Sequence, residues 1–300
     1  MDTQQFDALI IGFGKAGKTL AVTLANAGKK VALVERSPKM YGGTCINIAC
    51  IPTKVLVSAA EHHQSFDEAM AHKTTVVTRL NEKNYHMLAD RETVSVIEGE
   101  ASFVDDHTVK VVAGDDELVV SAPQIFINTG AESIIPDIPG VDKSFVYTST
   151  ELLDKMTQPK HLAIIGGGYI GLEFASTYTK LGTKVTVFER GDALLVREDP
   201  AIARATTEAL QAQGIEIVFS VDVTAIEGES TATIRTANHD DYTGYDAVLM
   251  ATGRRPATMS LNLPAAGVAT DERGAIVVDE TLRTSRSHIW AMGDVTGGPQ

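Results

Sequence analysis

The chain is short of three things: cysteine, positive charge and long apolar runs. Two cysteines in 300 residues, Cys45 and Cys50, cannot form the disulfide framework of a small secreted scaffold. They are also too few for a cysteine-based structural zinc site, since no histidine stands at ligand spacing beside them; no metal site is expected. Lys plus Arg is 26 against 39 Asp plus Glu, a formal charge of −13. So acidic a chain repels phosphate backbones and anionic lipid, which argues against nucleic acid or a membrane surface as partner. No apolar run approaches the roughly 18–20 residues of a spanning helix. The N-terminus, MDTQQFDALIIG, lacks the basic segment of a signal peptide. A soluble cytoplasmic protein is the expectation.

What is present is ordinary in composition, with 44% hydrophobic and 22% charged residues, and the length accommodates two domains. One pattern occurs twice. The apolar run Ala8-Leu9-Ile10-Ile11 leads into Gly12-Phe13-Gly14-Lys15-Ala16-Gly17, then a helical stretch to Ala27, then Val31-Ala32-Leu33-Val34 and Glu35. Strand, Gly-x-Gly-x-x-Gly, helix, strand and acid within about thirty residues form the dinucleotide-binding fingerprint. Gly12 allows the tight turn, Gly14 lets backbone approach a pyrophosphate, and Gly17 lets the helix pack on the strand. The helix start offers free N–H groups to phosphate, and Glu35 can accept from ribose hydroxyls. The same order returns from His161: Leu162–Ile165, then Gly166-Gly167-Gly168-Tyr169-Ile170-Gly171, a helix to Leu181, the strand Lys184–Phe188 and Glu189. Gly166 follows Gly12 by 166 − 12 = 154 residues. A single glycine pattern is weak; two in full context suggest two dinucleotides, the natural pair being a resident flavin and a nicotinamide that delivers hydride, with two empty parallel sheets and tight turns as the competing reading.

Ile125–Gly130 and Val248–Gly253 are a second matched pair, each a short strand ending in Thr-Gly, where backbone passes close to a ligand. Residues 94–121 and 215–236 read as small antiparallel excursions, and 65–88 as one long packing helix. Residues 136–140 read as the exit from the first domain and 281–287 as the return to it.

Cys45 and Cys50 stand in GGTCINIACIPTK, from Gly42 to Lys54. In a regular helix, positions five apart have Cα atoms roughly 8–9 Å apart, beyond the reach of a disulfide at about 7 Å. A bridge would need Cys45 in a loop or distorted turn with Cys50 inside the helix, which Gly42-Gly43 permits. Such a bridge suits redox activity, and a helix N-terminus would lower a thiol pKa. The alternative is two small buried apolar residues.

These motifs resemble the class I pyridine nucleotide–disulfide oxidoreductases, whose signature is GGTCxNxGCxPTK or a near variant. GGGYIGLEFAS and IWAMGDVTGG match as well, so the resemblance covers essentially the whole chain. Within the family, IIGFGKAGKTLAVTLANAG, MYGGTCINIACIPTK, NTGA and ERGAIVVD are most similar to RclA-type flavoproteins of defence against reactive chlorine species and hypothiocyanous acid, also linked to copper reduction. Ala49 stands where the family has Gly; Ala is the better helix former, so the helix should persist.

The resemblance implies an α/β fold of two Rossmann-like FAD/NAD(P)-binding domains, each a three-layer ββα sandwich with a small antiparallel β excursion. It places the FAD domain at 1–148 and 284–300 and the NAD(P) domain at 149–283. It makes Cys45–Cys50 a redox-active disulfide, with Cys50 the charge-transfer thiol and Cys45 the interchange thiol. Lys54 pairs with Glu173 near the flavin, and Tyr169 gates the nicotinamide pocket; surface ion pairing and plain packing are the competing readings of these residues. Gly12, Gly14, Gly17, Glu35, Arg36, Gly43, Thr44, Thr129, Gly130 and Asp294 are expected to hold FAD. Gly166, Gly168, Gly171, Glu189, Arg190 and Gly253 are expected to hold NADH or NADPH. Glu189 favours NADH because a carboxylate repels a 2′-phosphate, while Arg190 could accommodate one.

The implied reaction passes hydride from NAD(P)H through FAD to the cysteine pair and on to a small oxidant, namely hypothiocyanous acid, reactive chlorine species or Cu(II). A dihydrolipoamide dehydrogenase or glutathione-reductase-like enzyme is the alternative, and a flavin-binding fragment without turnover is another. Full-length relatives are homodimers with a further interface domain. None of the eight histidines precedes a proline, so the family's His-Pro motif is missing, and the expectation is a chain lacking that domain.

Overall fold

The computed structural model describes residues 3–298, so Met1, Asp2, Pro299 and Gln300, which the expected boundaries include, lie outside it. The chain divides into two compact units. The first comprises Met1–Ile51, Val76–Glu132 and Arg254–Gln300; the second comprises Pro52–Thr75 and Ser133–Gly253. These limits differ from 148 and 283 for a packing reason. Leu56, Ala59, Phe66, Ala69 and Met70 pack with Leu152, Leu162 and Tyr178 of the second unit. Leu261, Leu263, Val268 and Ile276 pack with Leu9 and Ile125 of the first.

In the first unit, a parallel five-stranded sheet runs in the order Ile289–Ala291, Ile125–Ile127, Ala8–Ile11, Val31–Glu35, Val94–Glu98. Its two central strands are buried on both faces, as a parallel sheet covered on both sides requires. Alternation sorts the side chains. Leu9, Ile11, Ala32 and Val34 point to Val109, Val111 and Val120 of a smaller sheet. Ile10, Leu33 and Val31 point to Ala21, Ala25 and Leu88 on helices. The result is the three-layer ββα arrangement. The small sheet is Glu100–Phe103, Thr108–Ala113 and Asp116–Ser121, antiparallel, with Thr3–Gln5 added in parallel. The excursion is thus shorter than expected, because Val94–Glu98 belongs to the main sheet. The long helix spans Phe66–Ala89.

The second unit repeats the plan. Its sheet order is Val146–Thr148, Ala247–Met250, His161–Ile165, Lys184–Phe188, Glu216–Val218, all parallel. Ala163, Ile165 and Met250 face Ile226 and Ile234 of a small sheet. Leu162, Ile164 and Val187 face Phe174, Ala175 and Tyr178 on the helical side. The small sheet is Val223–Glu227, Ala232–Thr236 and Asp241–Tyr245, antiparallel; the strand at 216–218 again joins the main sheet. The expected exit segment bonds within this unit, Ile226 N donating to Pro139 O at 2.8 Å. Among the described residues, no helix is long and apolar enough to cross a membrane.

Candidate functional site

The first glycine turn is built by close approach. A Cβ on Gly12, whose φ is +101°, would stand 2.3 Å from Asn128 O, and one on Gly17 would stand 2.8 Å from Gly12 O. The helix Lys15–Asn26 begins at Gly14 with no side-chain cap and no acidic residue in its first turn. The amides of Lys15 and Ala16 are therefore left to an anion, as a dinucleotide pyrophosphate requires, while that of Gly17 is taken by Asn128. The helix Tyr169–Lys180 starts from Gly168 in the same way, with open space around Gly168. Gly166 packs on Ala251 O and Gly171 on Gly166 O as their counterparts do.

Each repeat's acid braces its own turn. Glu35 is 8% exposed; its Oε2 accepts from Phe13 N at 2.9 Å and its Oε1 from Ser37 N at 3.2 Å. Glu189 accepts from Gly167 N at 2.8 Å and Gly191 N at 2.7 Å. All three positions repeat at the 154-residue offset. Burial pushes the Glu35 carboxyl above the usual range, opposed by the amides of Phe13 and Ser37 and by Arg36. Arg36 itself is exposed, and exposed Arg190 pairs with Asp222 at 3.6 Å.

One residue that the sequence reading passed over ties the first site together. Asn128 Oδ1 accepts from Gly17 N at 2.9 Å, and its Nδ2 donates to Met292 O at 2.7 Å. It thereby joins a strand end, the first turn of the glycine helix and the loop carrying Asp294. The signal was the contrast between Asn128-Thr129-Gly130 and Ala251-Thr252-Gly253: the second unit carries Ala where the first carries Asn. Thr129 Oγ1 donates to Ala257 O at 2.8 Å. Gly130 at φ +72° approaches Thr44 Oγ1. Asp294 opens a short 3-10 turn and attracts Arg254, whose Nη2 donates to Ala131 O at 2.5 Å. Gly253 takes φ +132° beside Ile134.

The cysteine segment rests on this turn. Gly43, at φ +77°, packs so closely that a Cβ there would lie 2.6 Å from Gly14 Cα. Cys45 then falls in the one-turn helix Thr44–Asn47, and a new helix, Cys50–Glu61, starts at the second cysteine. The break at Ile48 and Ala49 puts Cys45 off the axis of the second helix. Asn47 fixes the turn, its Nδ2 donating to Tyr41 O at 3.0 Å and Gly43 O at 2.8 Å. Ala49 lies in the break, outside both helices, so its helix propensity is not at issue; its backbone φ is not positive.

The cysteines are unbridged thiols in this structure and share a hydrogen bond. The expected lowering of the thiol pKa is not found at Cys45. Burial pushes it up, the Cys50 thiol adds to this, and Lys15 and Lys18 pull it down. Lys18 is held by a hydrogen bond to Asn84 Oδ1, and burial pulls its ammonium down.

In the second unit, Lys54 and Glu173 are both exposed, and they do not occur among the ion pairs of the described residues. Glu173 instead lines a small crevice with Thr53, Leu56 and Leu153. Tyr169 is 62% exposed and its hydroxyl donates to Glu198.

Two glycine turns, each on its own parallel sheet, with a dithiol packed against the first, define a two-dinucleotide redox protein. Comparison with known proteins sharpens this. The pyridine nucleotide-disulphide oxidoreductase profile matches residues 6–300. RclA of Escherichia coli strain K12, described as a probable pyridine nucleotide-disulfide oxidoreductase, is 49% identical over 297 residues, covering 99% of this chain and 67% of RclA. A mercuric reductase of Staphylococcus aureus is 36% identical over 315 residues, 98% of this chain and 56% of that enzyme. The Cu(II) complex of the HOCl-induced flavoprotein disulfide reductase RclA from Escherichia coli superposes with a TM-score of 0.95 at 49% identity, covering 100% of this chain and 68% of that one. The chain belongs to the pyridine nucleotide-disulphide oxidoreductase family, a family of flavoprotein oxidoreductases, and spans about half to two thirds of the length of these relatives.

Proposed function

We propose that the chain is the cofactor-binding and thiol-bearing part of an RclA-like flavoprotein disulfide reductase that spends NAD(P)H to destroy a small oxidant. The observation that carries the reading is the contact of Gly43 with Gly14, which seats the dithiol segment on the turn that would bind the flavin's pyrophosphate. Gly12, Gly14, Gly17, Glu35, Arg36, Gly43, Thr44, Thr129, Gly130 and Asp294 would hold FAD. Gly166, Gly168, Gly171, Glu189, Arg190 and Gly253 would hold the nicotinamide nucleotide, with NADH favoured. Bound FAD supplies a two-electron relay between nicotinamide and sulfur.

The thiols do the rest. Cys45, the interchange thiol, attacks the electrophilic sulfur of hypothiocyanous acid as its thiolate, giving a Cys45 sulfenyl thiocyanate and expelling hydroxide, which takes up the proton given off by the thiol to leave as water. Cys50 then attacks the Cys45 sulfur, expels thiocyanate and closes the disulfide, with one proton released overall. Lys15 and Lys18 favour the attacking thiolate. Lys54 and Glu173 act in the flavin's electrostatic environment, and Tyr169, tethered to Glu198, gates the nicotinamide site. Cu(II) is a second oxidant in this reading: two Cu(II) ions would take the two electrons released as the dithiol closes to a disulfide, and the Escherichia coli RclA is known in a Cu(II) complex.

The test is anaerobic titration with NADH followed by visible absorbance. A long-wavelength thiolate-to-flavin band is expected, and its loss in Cys50→Ser assigns the charge-transfer thiol. A yellow protein not bleached by NADH would mean a flavin-binding fragment without turnover. Turnover with dihydrolipoamide or oxidised glutathione, and none with hypothiocyanous acid, would favour the disulfide-substrate alternative.

A further inference from the structure

Two histidines and a carboxylate meet at one corner of the first unit. His107 immediately precedes the small-sheet strand Thr108–Ala113, and His288 immediately precedes the main-sheet strand Ile289–Ala291. His107 Nδ1 lies 3.1 Å and His288 Nε2 lies 2.8 Å from the backbone oxygen of Asp106. The carboxylate oxygens of Asp106 lie 3.9 Å and 3.8 Å from the same two nitrogens. The imidazoles meet edge to face with centroids 4.0 Å apart. One ligand atom from each residue lies within 4.8 Å of the other two.

The backbone around this corner is fixed. Asp105 Oδ1 accepts from His107 N at 2.8 Å. His107 O accepts from Ala122 N at 3.2 Å, and His288 O accepts from Ile125 N at 3.0 Å. Both ring nitrogens therefore converge on the Asp106 carbonyl oxygen from anchored strand ends, with the Asp106 carboxylate beside them.

We infer that this corner binds a divalent transition-metal ion of the imidazole-preferring class, Cu(II), Zn(II) or Ni(II), through His107 Nδ1, His288 Nε2 and the Asp106 carboxylate. The Asp106 carbonyl oxygen, already facing both nitrogens, is a fourth donor. Metal–nitrogen bonds of about 2.0–2.1 Å set ligand atoms roughly 3–4 Å apart, so side-chain closure of under about 1 Å completes the site. Without metal each inward nitrogen is placed to donate to the Asp106 carbonyl; binding moves that proton to the outer nitrogen, which frees the inward lone pair for the ion, and the carboxylate supplies negative charge. Two imidazoles with oxygen donors select these ions over Mg²⁺ or Ca²⁺. The half-exposure of Asp106 and the exposure of His107 leave an entry path and room for water. A bound ion ties the turn at 104–107 to the strand that leads into the Asp294 loop.

The experiment uses the full chain carrying Cys45→Ser and Cys50→Ser, so that sulfur cannot compete, titrated with Cu(II) alone and read by electron paramagnetic resonance. One equivalent with hyperfine coupling to two nitrogens is expected. His107→Gln, at an exposed position, and the pair His107→Ala with His288→Ala should each weaken binding at least tenfold and abolish the two-nitrogen pattern. His62→Ala with His63→Ala, an adjacent exposed pair elsewhere, should leave it intact. Zn(II) should raise the melting temperature of the parent and not of the His107 variants. The proposal fails if the two-nitrogen signal survives the His107 and His288 substitutions, if it disappears with His62 and His63, or if no stoichiometric binding occurs.

Discussion

At the scale of single residues, the site is governed by groups whose partners are backbone atoms. Asn128 satisfies Gly17 N and Met292 O together. Asn128→Ala leaves both without that partner; at about 1–3 kcal/mol for the buried Gly17 N and up to about 1 kcal/mol for the half-buried Met292 O, the variant should lose roughly 2–4 kcal/mol in a denaturant titration. Cys45 is governed by burial, with the charges of Lys15 and Lys18 opposing it. Its pKa is raised, so its thiolate fraction grows as pH climbs through and beyond the ordinary thiol range, and alkylation of the reduced protein should accelerate accordingly. Removing the Lys18 ammonium strips one of the two cations that oppose the rise. Lys18→Met should slow iodoacetamide labelling of the Cys45 peptide at pH 8 by about two- to fivefold, the size expected of one partly screened charge. An unchanged labelling rate, followed by mass spectrometry, would show that Lys18 does not tune this thiol. The histidine corner belongs to the same scale and was invisible in the sequence, because Asp106 and His288 are 182 residues apart.

At the scale of elements, the glycine turns and their helices were legible because their residue types are dictated by local backbone geometry. Gly12 and Gly166, with φ of +101° and +111° and carbonyls packed against them, could hardly be anything else. The strands Val94–Glu98 and Glu216–Val218 were misread as parts of excursions. A short apolar run does not reveal whether it pairs with the sheet before it or the hairpin after it. The thiol pKa was misread too, since burial is a property of packing and not of spacing. Position 49 is a clean case of the difference. Its methyl lies in a break between helices, at ordinary φ, so Ala49→Gly should lower stability by less than about 1 kcal/mol, through chain entropy alone. Gly43→Ala is the opposite case. Its Cβ would collide with Gly14 Cα at 2.6 Å, and the positive φ adds strain. The variant should come off a column with much of its flavin missing, measured as the ratio of visible to ultraviolet absorbance; full flavin content would refute the contact.

At the scale of the whole chain, the repeat at 154 residues was the strongest signal in the sequence, and the structure gives it mechanical content. Phe13, Glu35 and Ser37 correspond to Gly167, Glu189 and Gly191, and in each unit the acid ties two amides around the turn. The repeats are not equivalent in burial, since Glu35 is almost fully enclosed and Glu189 is not. Charged hydrogen bonds contribute about 1.5–3 kcal/mol each when buried and less when wet. Glu35→Ala should therefore cost about 3 kcal/mol and Glu189→Ala about half of that, compared by thermal or denaturant melts of the two variants; equal losses would mean that burial does not set the difference. The unit boundaries were not legible, because they follow which sheet Leu56, Phe66 and Leu261 pack against, and no local pattern encodes that choice.

The contact between Gly43 and Gly14 also makes the colour of the protein a ruler. If the turn that cradles a pyrophosphate and the segment that carries two thiols share one van der Waals surface, neither can drift without the other. Any library of variants screened for retained yellow is then also screened for sulfur held in register, with no assay for an oxidant at all.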